Sequence, residues 1–369
     1  MSPALTGRFK SLDILRGVSI AAMIVVNSSR EDAYPHLLHS TWNGWTFADT
    51  IFPCFLWIVG VALTLSTAGR VARGEARRSL LIHAVRRSAL LFGCGLFLEM
   101  FVFPSRAFPY FAFIDHFRFS GVLQKIAVCY LVAFLIFLWT TWRGRVLTVI
   151  SLNLIYLSLL FFYPVPECGA GVLTVQCNFP GYIDSILLKG NLWNNGGMQD
   201  PDGLGSILPA ISTVLLGVLA GDVLRKDDAS GRRVLRLIGM GCGLVAAASV
   251  LAVWIPINKI LWTTSYAVLM AGLAALCFAV TYWVVDVQGW RQWGKPLEIL
   301  GLNAVAAYMV SRLGANVPKV HFLGKSLYND LCLRIADPAN ASLLFSAANV
   351  AGVYVVIWWM YHRRWFLKF

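Results

Sequence analysis

The sequence predicts an all-α polytopic membrane protein: a bundle of about ten transmembrane helices with both termini cytoplasmic. Three observations carry that expectation. Of 369 residues, 58% are hydrophobic and 13% charged, about half the charged fraction of a soluble domain, which excludes a water-soluble globular enzyme. A chain this apolar, with 14 Trp and 23 Phe, is not disordered either. Ten stretches reach the roughly 20 mostly apolar residues that a helix needs to cross the hydrocarbon at about 1.5 Å per residue. Finally, 21 of the 31 Lys and Arg fall on the side shared by the two termini, as the positive-inside asymmetry requires. The net charge of +13 is therefore read as loop orientation at a lipid bilayer, with no nucleic-acid partner.

The segments run over 12–28, 46–68, 80–103, 119–140, 146–163, 204–224, 234–255, 263–285, 297–317 and 343–361. The first keeps Asp13 and Arg16 at its start and has no small-residue cleavage site after it, so it stays as a helix and is not a signal peptide. Its Asp13, Arg16, Ile20, Met23 and Asn27 recur at spacings of three and four. That makes one stripe, with roughly 16 Å between a basic inner end and an uncharged amide at the outer end. A local Asp13–Arg16 ion pair with Asn27 as an end cap is the plain structural alternative. The second segment opens on Thr46 and Asp49, three apart as in a capping box. The short loop before it holds His36 and His39, with Trp42 and Trp45 as candidate interfacial anchors.

The third segment follows Arg70, Arg73, Arg77 and Arg78 and carries Arg86 and Arg87 near its inner end. Asp115, His116 and Arg118 precede the fourth, which has Gln124 and Lys125 one turn inside. After the fifth comes a long outer loop, 164–203, holding Glu167, Asp184, Asp200 and Asp202. Its Cys168 and Cys177, nine apart, are placed to close a small disulfide loop in an oxidising compartment. Asp200-Pro201-Asp202-Gly203 reads as an ordinary helix start for the sixth segment. Gly217/Gly221 and Gly239/Gly243, in the sixth and seventh, are small-xxx-small pairs expected to let neighbouring helices approach closely. Pro256-Ile257-Asn258-Lys259, then Trp262 and Tyr266, introduce the eighth, and Asn303 lies in the ninth. The remaining cysteines are scattered through apolar segments and read as buried thiols. No Cys/His spacing forms a metal site and no Gly-rich phosphate loop is present, so no metal is expected. The chain reads as one domain, 1–369.

Charged and amide side chains are expensive in a membrane, so each needs a reason. Several converge on the outer half of the bundle, which points to a polar cavity there.

The motifs Ser11-Leu12-Asp13-Ile14-Leu15-Arg16-Gly17, His39-Ser40-Thr41-Trp42-Asn43-Gly44-Trp45 through Asp49, Phe52-Pro53, and Gly121-Val122-Leu123-Gln124-Lys125 resemble the heparan-α-glucosaminide N-acetyltransferase family. So do Asp200-Pro201-Asp202-Gly203, Pro256 to Thr263, and Gly301-Leu302-Asn303-Ala304. The resemblance follows the same order over almost the whole chain. It implies transfer of an acetyl group from cytosolic acetyl-CoA, across the membrane, to an amine of an amino sugar or glycan on the far side. In the family motif His-x-x-Trp-Asn-Gly the catalytic histidine is His39, not His36, and Asn27 matches an active-site asparagine. Two positions depart from the family: Lys125 stands where Arg is usual and Asp202 where Glu is usual. Lysine keeps the charge but loses the planar fork. Relatives also suggest a homodimer. The lysosomal member has a large lumenal region near its N-terminus, whereas this chain starts about eleven residues before its first segment, so a smaller amino sugar or envelope glycan is the expected acceptor.

On this reading His39 and Asn27 are catalytic, with His39 as general base or transient acyl carrier. Arg16, Arg86, Arg87, Gln124, Lys125 and Asn303 are candidates for binding acyl-CoA, whose long arm is expected to run up the face of the first helix. Trp42, Asn43, Asp49, Asp200, Asp202, Asn258, Lys259 and Trp262 are candidates for binding the acceptor. The expected location is the inner membrane, with the long loop periplasmic. The same polar residues leave two alternatives open, a transporter of a sugar or organic anion and an O-acyltransferase acting on an envelope glycan.

Overall fold

A computed structural model describes residues 9–102, 118–188, 200–226, 229–316, 325 and 327–367; Asp115 and His116 lie outside them. Among the described residues, nine helices are long and apolar enough to cross a membrane. They are α1 (Lys10–Ser28), α2 (Phe47–Ala72), α3 (Arg77–Val102), α4 (Val122–Trp139), α5 (Trp142–Phe162), α7 (Ile207–Leu224), α8 (Ser230–Leu251), α9 (Thr264–Tyr282, continued by a π turn Trp283–Val287) and α13 (Pro338–His362). The described residues contain no strand, only an isolated bridge between Val165 and Gly169. The polytopic all-α expectation holds.

The ninth segment differs from a simple span. It is split at Asn303 into α10 (Lys295–Leu302) and α11 (Ala304–Asn316). The Asn303 side chain stands at the break and makes its hydrogen bonds outside the helix. Asn303 Nδ2 donates to the Trp365 carbonyl at 3.1 Å, and the Leu367 N–H donates to its Oδ1 at 3.2 Å. Asn303 is thus committed to the segment after α13. Asp200-Pro201-Asp202-Gly203 does not start a helix either. It forms a turn, with the Gly203 N–H donating to the Asp200 carbonyl at 2.9 Å, and α7 begins later at Ile207. The long loop contains one short helix, α6 (Phe179–Leu187), whose Asn178 cap accepts from the Gly181 N–H at 2.7 Å. The three-residue α12 (Leu333–Ile335) precedes α13.

Bare backbone contact sets two of the helix crossings. A Cβ on Gly217 of α7 would lie 2.0 Å from the Trp57 carbonyl oxygen of α2, and one on Gly60 of α2 would lie 2.0 Å from the Val214 oxygen. Between α1 and α10, a Cβ on Gly301 would lie 1.8 Å from the Asp13 carbonyl oxygen. The small-residue reading is therefore met in α7. In α8 it is not: Gly239 and Gly243 face open space, and Gly241 instead meets Gly272 and Leu276 of α9. The helical period turns Gly241 away from its two neighbours, so a motif read along the sequence chose the wrong face. Trp57, Trp262, Tyr266 and Phe278 are fully buried in the core that these crossings enclose.

Adding a methyl at Gly217 overpacks the α2–α7 crossing, a class of change that costs about 1–3 kcal/mol. Gly217→Ala is expected to lower the thermal midpoint of the detergent-solubilised protein, whereas Gly243→Ala leaves it unlowered. Equal midpoints for the two variants would remove the packing argument.

Candidate active site

The candidate site starts from the way α2 begins. The loop before α2 folds back so that one carboxylate serves it repeatedly. Asp49 Oδ2 accepts from the backbone N–H of Thr46 at 3.0 Å, the return half of a capping box, and from that of Ser40 at 3.1 Å. The Thr46 hydroxyl donates to the Leu38 carbonyl at 2.7 Å. The other carboxylate oxygen, Oδ1, lies 2.8 Å from His39 Nδ1. Tyr266 donates to the Asp49 carbonyl at 2.6 Å, fixing the first turn of α2 from α9.

Asp49 is completely buried while the His39 side chain is 49% exposed. Expected among the acceptor-binding residues, Asp49 offers no exposed surface to an acceptor. It lies beneath the imidazole and positions it. A carboxylate can only accept, so this contact puts the proton on Nδ1 and leaves the Nε2 lone pair free on a half-exposed ring.

A second loop, 252–263, closes over the first. The Gly44 N–H donates to the Ile257 carbonyl at 2.8 Å, with Gly44 at φ +95°, a conformation that suits glycine. Asn258 Nδ2 donates to Asn43 Oδ1 at 3.2 Å, and Asn258 Oδ1 accepts from the Leu261 N–H at 2.9 Å. This loop delivers Lys259, whose Nζ lies 3.2 Å from Asp49 Oδ1 and 2.9 and 3.3 Å from the two ring nitrogens of His39. Burial pulls the Lys259 ammonium below the usual lysine range, and the charge of Asp49 opposes that shift. From a third direction, Trp42 Nε1 donates to the Leu173 carbonyl at 3.0 Å. Leu173 belongs to the loop closed by the Cys168–Cys177 disulfide, which the sequence spacing had suggested.

Other expected residues lie elsewhere. His36 is exposed in a single 3₁₀ turn, Pro35–Leu37, and its ring has no hydrogen-bond partner among the described residues. Asn27 is exposed on the last turn of α1. Asn258 and Trp262 are fully buried, and Asp200 nearly so. Asn258 therefore holds its own loop and Trp262 packs on Phe52. Asp200 accepts from Arg118 Nε and Nη2 at 2.9 and 2.6 Å and from Ser120 Oγ at 2.6 Å. Burial works against the Asp200 carboxylate, but Arg118 holds it below its ordinary range. Asp202 also meets Arg118, at 3.2 Å, and shares a small cavity of about 100 Å³ with Gln124 and Lys125. The Lys125 ammonium is spent on Ser206 Oγ at 2.8 Å and on the face of Trp262 at 4.4 Å.

The larger cavity, about 480 Å³, lies at the opposite end of the bundle, where α1 begins and α13 ends. Arg16, Arg70, His83 and Arg87 line it, and Phe55, Leu91, Leu123 and Tyr130 supply apolar wall. From Arg70 to Phe55 the cavity follows α2 for about 22 Å, and Asp49 lies about 9 Å of helix rise further on. It does not climb α1 as the stripe had suggested. Above Arg16 that face carries Ile20 and Met23, both buried, and the lower half of α1 is pressed backbone to backbone on α10. Arg16 itself pairs with Asp13 at 3.0 Å.

Gln124, Lys125 and Asn303 are not among the residues lining this cavity, and Arg86 is exposed on another face of α3. Arg87 stacks on Tyr130 at 4.7 Å with its buried Nε unpartnered among the described residues. Arg70 and His83 were not singled out in the sequence as ligands. The available signal was spacing: His83 and Arg87 are four apart on one helix face.

Residues 8–240 match a family model described as heparan-alpha-glucosaminide N-acetyltransferase, catalytic. The mouse protein named heparan-alpha-glucosaminide N-acetyltransferase is 30% identical over 353 residues, covering 82% of this chain and 53% of that protein. The human protein of the same name is 28% identical over 361 residues, covering 83% of this chain and again 53% of its own length. The chain thus spans about half the length of these relatives. His39, Asp49 and the cavity arginines fall within the family-model match, whereas Lys259 lies beyond it.

Beneath the Asp200 turn, Asp184 is buried and accepts the Gly205 N–H at 2.8 Å; burial still pushes its carboxyl up from 3.8 to about 6. A carboxyl raised on folding lends stability below about pH 4, and this is lost as the pH climbs through about 6, roughly 2–3 kcal/mol in all. The thermal midpoint should therefore fall over that window in the native protein and stay flatter in Asp184→Asn. Parallel profiles for the two proteins would refute the shift.

Proposed function

The chain belongs to the heparan-α-glucosaminide N-acetyltransferase catalytic family, and from that premise we propose that it is a membrane acyltransferase moving an acetyl group from acetyl-CoA to an amino sugar or glycan across the bilayer. The single observation that carries the proposal is the buried Asp49 carboxylate 2.8 Å from Nδ1 of a half-exposed His39. This arrangement suits a general base and lies at the far end of the helices from a basic cavity.

The donor fits the basic cavity chemically. Three arginines and a histidine at its mouth suit the phosphates of coenzyme A, and the unpartnered Arg87 Nε is a donor waiting for an anion. The apolar wall along α2 suits a long, weakly polar arm. At the other end His39 Nε2 takes the proton as an acceptor amine attacks the thioester, and the half-exposed Trp42 and the exposed Asn43 and Asn27 are available to meet a sugar. The concentration of Lys and Arg at the cavity end supports placing that end in the cytoplasm of an inner-membrane protein. The disulfide-closed loop that receives Trp42 supports an oxidising compartment at the other.

Supplying acetyl-CoA and a panel of amino sugars to purified protein, with products read by mass spectrometry, tests the activity directly; an unacetylated panel would count against it. His39→Ala is expected to abolish transfer while keeping the native thermal midpoint, and His36→Ala to retain most of it. Normal turnover by His39→Ala would refute the base.

Replacing Arg70 or Arg87 by Gln should raise the KM for acetyl-CoA about tenfold or more per lost charged contact, with little change in the KM of the amine. An unchanged donor KM in both variants would place the coenzyme elsewhere.

A further inference from the structure

We propose that Lys259 is a catalytic residue of this transfer, the cation that receives the carbonyl oxygen of the acetyl group as the amine adds to it; this rests on the function proposed above. Sequence reading alone placed Lys259 with the acceptor, and the geometry argues otherwise. The ammonium is 2.9 and 3.3 Å from the two ring nitrogens of His39. A hydrogen bond to either would have to arrive in the ring plane along its lone pair. An ammonium at those two distances within the plane would collide with Cε1, so it lies over the face of the ring. Nδ1 is in any case committed as donor to Asp49 at 2.8 Å. The only in-line acceptor for Lys259 among the described residues is therefore Asp49 Oδ1, at 3.2 Å. At least two ammonium protons remain beside the exposed Nε2, where the reacting carbonyl must come.

The placement is also built rather than incidental. The backbone around Lys259 is held by Asn258, by the Thr263 hydroxyl donating to the Pro256 carbonyl at 2.8 Å, by Tyr156 donating to the Leu261 carbonyl, and by the Gly44 N–H on Ile257. Its side chain is only 15% exposed. A cation fixed in place before the reaction by its surrounding backbone is a condition for electrostatic stabilisation of a developing oxyanion.

The charge count closes. At rest the site holds neutral His39, cationic Lys259 and anionic Asp49. The amine nitrogen bonds to the carbonyl carbon, His39 Nε2 takes the amine proton, and the carbonyl oxygen becomes an anion hydrogen-bonded to Lys259. Imidazolium and oxyanion then offset each other, and the total remains neutral. As the intermediate collapses the carbon–sulfur bond breaks, the oxygen returns to a carbonyl, and the proton passes from His39 to the leaving thiolate. Acetyl-CoA and an amine give an amide and free coenzyme A.

The test is steady-state kinetics of Lys259→Met and Lys259→Arg with acetyl-CoA and glucosamine as the probes. The expected result for Lys259→Met is a kcat about 10²–10³ lower with both KM values within about threefold, and partial recovery of kcat in Lys259→Arg. An unchanged kcat, or a loss confined to the glucosamine KM, overturns the inference while leaving the acyltransferase reading intact. A native protein that acetylates no amine on the panel overturns both. Should Lys259→Met fail to give folded protein, Lys259→Gln keeps one neutral donor, and undiminished kcat in that variant is equally fatal.

Discussion

One buried carboxylate organises the loop end of the molecule. Asp49 occupies the N-terminus of α2, where backbone N–H groups and the helix dipole favour an anion, and its two oxygens have separate partners. Oδ2 takes the Thr46 and Ser40 amides; Oδ1 takes His39 and Lys259. Stabilising the helix and setting the imidazole are thus one act. A capping residue is typically worth about 1 kcal/mol, whereas a buried carboxylate robbed of its partners costs several. The histidine and lysine are consequently tied to whether α2 begins where it does, and the loop ahead of α2 inherits its shape from the same group.

A second constraint is distance. The basic cavity and the histidine occupy opposite ends of the same helices, and the cavity climbs along α2 because α2 is where space remains. The crossings of α1 with α10 and of α2 with α7 are closed at glycine, with carbonyl oxygens where side chains would otherwise stand. Interfaces that tight leave no passage. The face of α2 toward α3 and α4 is instead lined by larger side chains that do not meet, and the void lies between them. Close packing on one side of a helix and a channel on the other are the same helix seen from two directions.

Much of this was legible in the residues. Nine spans, the disulfide and the Thr46–Asp49 cap follow from composition, spacing and local rules. Such features depend on neighbours in sequence, or on a solvent that penalises polarity uniformly. The imidazole–carboxylate contact is not legible, because Asp49 already satisfies a local capping rule and nothing in the spacing assigns its second oxygen. Asp200, Asp202, Asn258 and Trp262 looked like a binding cluster because polar groups are costly in a membrane, yet most of that cost is met internally, by Arg118, Ser120 and backbone amides. Which polar groups are spent on one another and which are left for a ligand depends in good part on long-range contacts such as Arg118 to Asp200, 82 residues apart, and no periodicity encodes them. The stripe on α1 was real as a pattern but faces packed protein, since helical spacing says which residues share a side and nothing about what lies opposite.

The break at Asn303 ties the wall of the basic cavity to the segment after α13. Its amide finds its partners at Trp365 and Leu367, residues synthesised some sixty positions later. A buried amide left unmet is unfavourable, so the angle between α10 and α11 depends on the short segment that follows α13. Gly301, Leu302, Ala304 and Leu367 all line the basic cavity. That chamber therefore takes part of its wall from beyond the last helix, and owes its closure to the same few residues that satisfy Asn303.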